Sequence, residues 1–159
     1  KAAADFLVRS YFHTHNLPAT ISNCSNNYGP NQHKEKFIPT VINSLLNESR
    51  IPVYGKGDNI RDWIYVGDHC KAIWKILTKG KVGETYLIGG NCEKTNLEII
   101  HRICKILQKD ADKYITFVED RKGHDFRYAI DNSKARKELS WKPKMTLEKG
   151  LSKTVKHYA

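Results

Sequence analysis

Apolar residues along the chain fall into short runs, and the spacing within each run predicts the element it forms. Phe6, Leu7, Tyr11 and, less cleanly, Val8 share one helical stripe, so a helix is expected to be under way at Lys1. Leu17-Pro18 ends it, because proline lacks a donor and biases its predecessor away from helix. Ala19 to Cys24 reads as a short strand running into the polar loop NCSNNYGPNQHKEK. The pairs Val41/Leu45 and Ile42/Leu46 predict a helix from Pro39 to near Asn47. Ile51 to Gly55 is a strand closed by a Gly-Lys-Gly-Asp turn. Trp63 to Val66 is another, after which Val66-Gly67-Asp68 opens a helix over His69 to Leu77. Glu84 to Ile88 is a strand that stops at Gly89-Gly90.

In the last third, Thr95-Asn96-Leu97-Glu98 matches a capping box, and Leu97, Ile100, Ile103, Cys104 and Leu107 give the helix behind it an apolar face. Ile115 to Val118 and Arg127 to Ile130 are short strands flanking EDRKGHD. A small helix over Ser133 to Leu139, a Trp141-Lys142-Pro143 turn and a helix from Thr146 with Leu147, Leu151 and Val155 complete the pattern. Alternating strands and helices make this an α/β protein. A helix at the very start with a single strand behind it is the pattern of the second half of a larger fold.

Composition narrows the chemistry. The 159 residues are 40% hydrophobic and 28% charged, as in globular chains and unlike disordered ones. No apolar run approaches the roughly 20 residues that span a bilayer, which argues against a membrane protein. Cys24, Cys70, Cys92 and Cys104 form no CxxC pair and have no paired histidines nearby, so neither a zinc site nor a disulfide framework is expected. A reducing, cytoplasmic setting follows. The formal net charge of +10 is spread from Lys34 to Lys156 with no nucleic-acid motif. It suits a small anionic ligand or a lysine-rich solvated surface better than a nucleic-acid partner. The first residue is Lys1 and the only methionine is Met145, so a longer natural chain is expected.

Four asparagines around a Tyr-Gly-Pro turn exceed what turning the chain requires. Either they form a series of Asx-turns or they hold something polar, since side-chain amides both donate and accept without adding charge. Arg61, between a glycine turn and Asp62-Trp63, offers a planar fork that binds phosphate oxygens in pairs. The Trp63 ring is expected to limit its freedom. Asp62, Asp68 and His69 read as structural partners and caps.

Taken in order, NCSNNYGP, EKFIP, PVYGKGDNIRDWIYVGDH, GETYLIGG, KTNLEI, DRKGHDFRYAID and WKPKMTLEKGL resemble the extended short-chain dehydrogenase/reductase family of nucleotide-sugar enzymes. Within it they look like the C-terminal half of the dTDP-glucose 4,6-dehydratases. RDW-x-YV-x-DH is shared with nucleotide-sugar epimerases, whereas the SNNYGP, EK and DR-x-GH combination is more particular to dehydratases. The resemblance implies the C-terminal part of a Rossmann-like NAD-binding sheet plus a small α/β nucleotide-sugar domain. Residues 1–30 would end the dinucleotide-binding domain and 31–159 would be mostly substrate domain, with 51–80 returning to the Rossmann sheet.

It also implies NAD as cofactor and dTDP-glucose or UDP-glucose as substrate. By position Lys1 matches the lysine of a Tyr-x-x-x-Lys pair, where it would bind the cofactor and depress the tyrosine's pKa; without that tyrosine it is an ordinary solvated lysine. Asn26 would face the cofactor and Asn27 the substrate. Lys36, Phe37, Pro52, Val53, Tyr54, Arg61, Asn96, Asp120, Arg121 and His124 would contact the nucleotide-sugar. A half-buried strand aromatic is the commoner fate of a residue such as Tyr54, and Asn96 reads equally as a plain neighbour of the cap. The family often has proline where this chain has Lys122. No metal is implied. The helix after Lys1 corresponds to one that pairs across a homodimer, although its stripe could also serve an internal core. The Gly-rich dinucleotide turn, the tyrosine and the acid/base segment are not in these residues, so the chain by itself is expected to be inactive. A UDP-glucose dehydratase or an epimerase is the neighbouring alternative. A non-catalytic module binding polyanions or nucleotide-sugars is the alternative of another class.

Overall fold

All strand pairings but one are parallel in the computed structural model, which describes every residue from Lys1 to Ala159. In chain order the elements are α1 (Ala2–His15), β1 (Ile21–Cys24), β2 (Asn26–Tyr28), α2 (Phe37–Leu46), β3 (Ile51–Tyr54), β4 (Ile60–Tyr65), α3 (Val66–Lys79), β5 (Thr85–Ile88), β6 (Glu93–Thr95), α4 (Asn96–Ile106), α5 (Ala111–Tyr114), β7 (Ile115–Val118), β8 (Arg127–Tyr128), α6 (Ser133–Leu139) and α7 (Leu147–Tyr158). The strands form three sheets: β1 with β5; β2, β4 and β6 with β8 added to β4; and β3 with β7. No helix is long and apolar enough to cross a membrane.

Two of these elements lie where the hydrophobic pattern shows only loop. Asparagine is a poor strand former, yet Asn26, Asn27 and Tyr28 pair in register with Trp63, Ile64 and Tyr65. Glu93–Thr95 likewise pairs antiparallel to β4, Ile60 facing Thr95 and Asp62 facing Glu93. In both cases β4 supplies the template, and tertiary pairing overrides local preference. Of residues 51–80, α3 packs on β1 and β5, whereas β3 and β4 pair elsewhere. The strand that joins β1 is Thr85–Ile88.

Strand alternation in β4 divides the interior in two. Trp63 points into the larger core, built by Ile38, Val41, Ile42 and Leu45 of α2, Ile99, Ile100 and Ile103 of α4, and Leu147, Leu151 and Val155 of α7. Its neighbour Ile64 points the other way, into a core of Ala72, Ile76, Tyr86, Ile88, Ala135, Leu139 and Trp141. The helical stripes of α2, α4 and α7 all end in the first core. α1 differs: none of its residues is buried, and Phe6, Leu7 and Tyr11 are exposed.

Two aspartates fasten the frame. Asp62, 1% exposed, accepts hydrogen bonds from the backbone N–H groups of Gly90 and Cys92, both at 2.8 Å. Gly90 lies so close to β4 that an added Cβ would sit 2.0 Å from the Trp63 carbonyl oxygen, which leaves glycine as the only residue that fits. Asp68, at the start of α3, accepts from the N–H groups of Lys144 at 2.7 Å and Met145 at 2.6 Å, tying the Trp-Lys-Pro turn to that helix. Both act as structural acceptors. Because a buried N–H without a partner is expensive, Asp62→Ala is expected to lower stability by about 3 kcal/mol. Urea unfolding checks this; a loss below about 1 kcal/mol would show that water replaces the carboxylate.

Candidate functional site

A cleft of about 450 Å³ opens where β2, β3 and β4 meet the start of α2, the start of α4 and the loop after β7. Its lining is Asn26, Glu35, Lys36, Phe37, Thr40, Pro52, Val53, Tyr54, Arg61, Trp63, Asn96, Arg121 and His124. Ten of the thirteen residues singled out from the sequence are therefore gathered on one surface. Asp120 stands just behind it. Asn27 and Lys1 do not reach it.

Each side chain arrives there for a local reason. Arg61 and Trp63 are two apart on β4 and so face the same side. Phe37, at the first turn of α2, stacks on Trp63 with ring centroids 5.9 Å apart, forming the apolar floor. Asn96 opens α4, whose N-terminus carries the full capping box: the Thr95 hydroxyl accepts from the Glu98 N–H at 3.1 Å and the Glu98 carboxylate accepts from the Thr95 N–H at 2.8 Å. The positive end of that helix dipole thus meets the cleft.

Main-chain carbonyls, rather than the Trp63 ring, hold the Arg61 guanidinium. Nη1 donates to Ile60 O at 2.7 Å and to Phe126 O at 3.4 Å, and Nη2 donates to Asp125 O at 2.8 Å. No carboxylate pairs with Arg61, so its positive charge is oriented and uncompensated. Lys36 and Arg121 add to the positive potential of the cleft; Glu35 is the one carboxylate in the lining.

The loop from Asp120 to His124 closes one side as a chain of contacts. The His124 Nδ1–H donates to Asp120 Oδ1 at 2.7 Å, leaving Nε2 to accept from Arg121 Nη2–H at 3.2 Å. Arg121 in turn lies over the Tyr54 ring, 5.0 Å from its centroid. Gly55 admits the loop: its φ is +57°, and an added Cβ would lie 3.0 Å from the Asp120 carboxylate. The His124 hydrogen bond, with help from the Arg121 N–H, holds the Asp120 carboxyl below the usual aspartate range.

Asn27 faces the opposite side of β2 from Asn26. It lines a separate 130 Å³ recess with Tyr28, Gly29, Pro30, Asn31, Gln32 and Val66. Its Oδ1 meets His69 Nδ1 at 2.9 Å, and its Nδ2 donates to Ser25 O at 3.2 Å. Burial pushes the His69 imidazole pKa down, so the neutral ring donates from Nδ1; Nε2 is then a buried acceptor without a partner. The Ser25 hydroxyl, one residue before Asn26, is buried and unpaired as well. Lys1 is exposed at the N-terminal cap of α1.

Comparison with known proteins fits this geometry. The family model described as GDP-mannose 4,6 dehydratase matches residues 1–154. The chain belongs to the GDP-mannose 4,6 dehydratase family. Among curated members, the dTDP-glucose 4,6-dehydratase of Neisseria gonorrhoeae is 51% identical over 168 residues, covering 99% of this chain and 49% of that protein. Two solved members superpose along 99% of the chain. One is the dTDP-glucose 4,6-dehydratase of Bacillus anthracis in complex with NAD, at TM-score 0.94, 49% identity and 50% of its length. The other is that of Streptomyces venezuelae with NAD and TYD bound, at TM-score 0.96, 42% identity and 49% of its length. The chain spans about half the length of the curated relatives it matches.

Glu35, Thr40 and Trp63 line the cleft without having been singled out from this family's motifs. Trp63 was open to detection, since it lies two residues after Arg61 on one strand; Thr40 carries no such signal.

The pH behaviour of the loop follows from Asp120. Because its folded pKa is depressed, the loop closure is complete above the ordinary aspartate range and is lost as pH falls through the depressed value. A carboxyl-carbon NMR titration should place the Asp120 midpoint below that of an unperturbed aspartate. In His124→Ala it should return toward the ordinary range; an unchanged midpoint would remove His124 as the cause.

Proposed function

We propose that the cleft binds a nucleoside-diphosphate hexose, and that the chain supplies the nucleotide-sugar half of an NAD-dependent dTDP-glucose 4,6-dehydratase, a hydro-lyase. The observation that carries this reading is Arg61: a guanidinium fixed by three carbonyl contacts, free of any carboxylate, in the middle of a cleft with Asn26, Lys36, Asn96 and Arg121 around it. Such a group binds the paired oxygens of a pyrophosphate without first having to be ordered.

In this reading Arg61 and Asn96 take the pyrophosphate, the latter helped by the α4 N-terminus. Pro52, Val53 and Tyr54 receive the base, with Arg121 against the Tyr54 ring and His124 holding Arg121 in place. Asp120 acts through His124. Lys36 and Phe37 flank the sugar-phosphate. Asn26, on the cleft side of β2, faces the sugar, and Asn27 on the reverse side faces the cofactor. This exchanges the roles that family resemblance alone implied, because side chains of successive strand residues project oppositely.

The residues around β1 suit a dinucleotide at one point. The unpaired Ser25 hydroxyl and the Asn27 amide lie where β1 leaves a parallel pair, the end at which ligands collect in open α/β sheets. NAD, when bound, supplies the hydride exchange: oxidation at sugar C4, then reduction at C6 after water has left across C5 and C6, giving a 4-keto-6-deoxy sugar. Lys1 would favour the phenolate of a neighbouring tyrosine by its charge and hold the cofactor ribose. The chain by itself binds the sugar nucleotide without turning it over. The apolar stripe of α1, with Phe6 69%, Leu7 61% and Tyr11 51% exposed, is the surface we assign to homodimer pairing. Four unpaired thiols fit a cytoplasmic setting.

In the protein that carries this chain, Arg61→Ala should weaken dTDP-glucose binding at least tenfold, about 1.4 kcal/mol, with the far-ultraviolet spectrum unchanged. Unaltered affinity in a calorimetric titration would sink the pyrophosphate assignment. Turnover of dTDP-glucose well above that of UDP-glucose supports the thymidine nucleotide; the reverse order would reassign it.

A further inference from the structure

On the flank of α3 that faces α6 lies a second cavity, of about 850 Å³, which shares no residue with the cleft. That volume falls within the range of small-molecule sites. Its walls come from three segments: Lys71, Trp74 and Lys75 on α3, Arg136 on α6, and Trp141, Lys142 and Lys144 in the turn leading to α7.

These walls are fixed in advance. Trp141 is 3% exposed, and its indole N–H donates to Asp68 O at 3.1 Å. The Asp68 carboxylate takes the N–H groups of Lys144 and Met145, which fastens the turn to α3. Lys75 Nζ donates to Leu139 O at 2.9 Å and Ser140 O at 2.7 Å, closing the end of α6 against the same helix. Lys71 stands 3.7 Å from Asp68. Two of the cations are thus spent on structure. Arg136, Lys142 and Lys144 take part in none of the chain's salt bridges, and the one carboxylate in the lining, Asp68, is already engaged by Lys71 and by the Lys144 and Met145 N–H groups.

Trp74 completes the arrangement. It is 65% exposed, a large ring left open among cations instead of being turned into the core. An apolar protein contact would call for a different surface, and α3 has one on its other flank, where Ile73 and Leu77 are exposed without lining the cavity. A hollow that pairs a stacking face with several phosphate-binding cations matches a ligand that is aromatic at one end and polyanionic at the other.

We propose that this cavity is a second, non-catalytic ligand site for a nucleoside phosphate, with the base stacked on Trp74 and the phosphates on Arg136, Lys142 and Lys144. It stands independently of the function assigned to the cleft. The test is fluorine NMR of the protein that carries this chain, labelled with fluorotryptophan, in an Arg61→Ala background that weakens the cleft, with the Trp74 resonance reporting on the second cavity alone. Trp74→Phe assigns the Trp74 resonance, and the probes are ADP, inorganic pyrophosphate and adenosine. ADP should shift the Trp74 signal saturably at micromolar to millimolar concentration. Lys142→Ala/Lys144→Ala, or Arg136→Gln where the double variant does not fold, should weaken that shift at least tenfold. Pyrophosphate and adenosine should each bind at least tenfold less tightly than ADP. No saturable shift, a shift indifferent to the cation variants, or pyrophosphate as tight as ADP would overturn the proposal.

Discussion

The Asp62 carboxylate is the contact on which the rest of the frame depends. It is fully buried, and it is the acceptor for two backbone N–H groups of the segment that follows β5. Without it Gly90 and Cys92 would keep unpaired donors in a site that Gly90, pressed on the Trp63 carbonyl, leaves too narrow for easy rearrangement. Cys92 O in turn accepts from the Trp63 N–H, and the chain then runs directly into β6 and the capped start of α4. One acid therefore sets the distance between β4, which carries Arg61, and the helix end that carries Asn96. The cleft is a by-product of that spacing.

Charge and apolar burial divide the work by location. The α4–α7 contact includes the exposed Arg102–Glu148 ion pair, and pairs of that kind contribute about 0.2–1 kcal/mol. Beneath it Ile103, Leu151 and Val155 are buried, each worth about 1.5–3 kcal/mol. The helices are thus held by their apolar stripes, and the surface ion pairs adjust charge more than they add stability. At the cleft the order reverses. There the cations are deliberately left without anions, and the stabilising contacts are to carbonyls and rings.

Much of this was legible in the sequence because it depended on local rules. The capping box at Thr95, the stripes of α2, α4 and α7, and the strand Ile115–Val118 each followed from spacing or composition within a few residues. β2 and β6 were hidden because their residues are poor strand formers that pair only once β4 is in place. Family motifs group most of the cleft residues, since motif order mirrors the approach of β2, β3, β4 and the 120–124 loop. What motifs could not supply was direction. Which asparagine of Asn26-Asn27 meets the cleft depends on the phase of a three-residue strand, and that phase is set by Trp63 and Ile64 across the ladder. The anchoring of Arg61 was equally invisible, because its carbonyl partners at Asp125 and Phe126 are over sixty residues away.

α1 has a consequence of its own. It places no residue in either core, and it is attached by a handful of contacts: Asn23 Nδ2 to Asp5 at 2.9 Å, Arg9 to the Thr85 hydroxyl at 3.1 Å, and Phe12 against Gly83. An isolated helix of fourteen residues is marginal in water. In these 159 residues taken alone, local opening therefore begins there, while β4 and its two cores set the global limit. The hierarchy of cooperative units runs outward from Asp62, and the element with the largest uncovered apolar stripe is the one whose order depends most on what covers it.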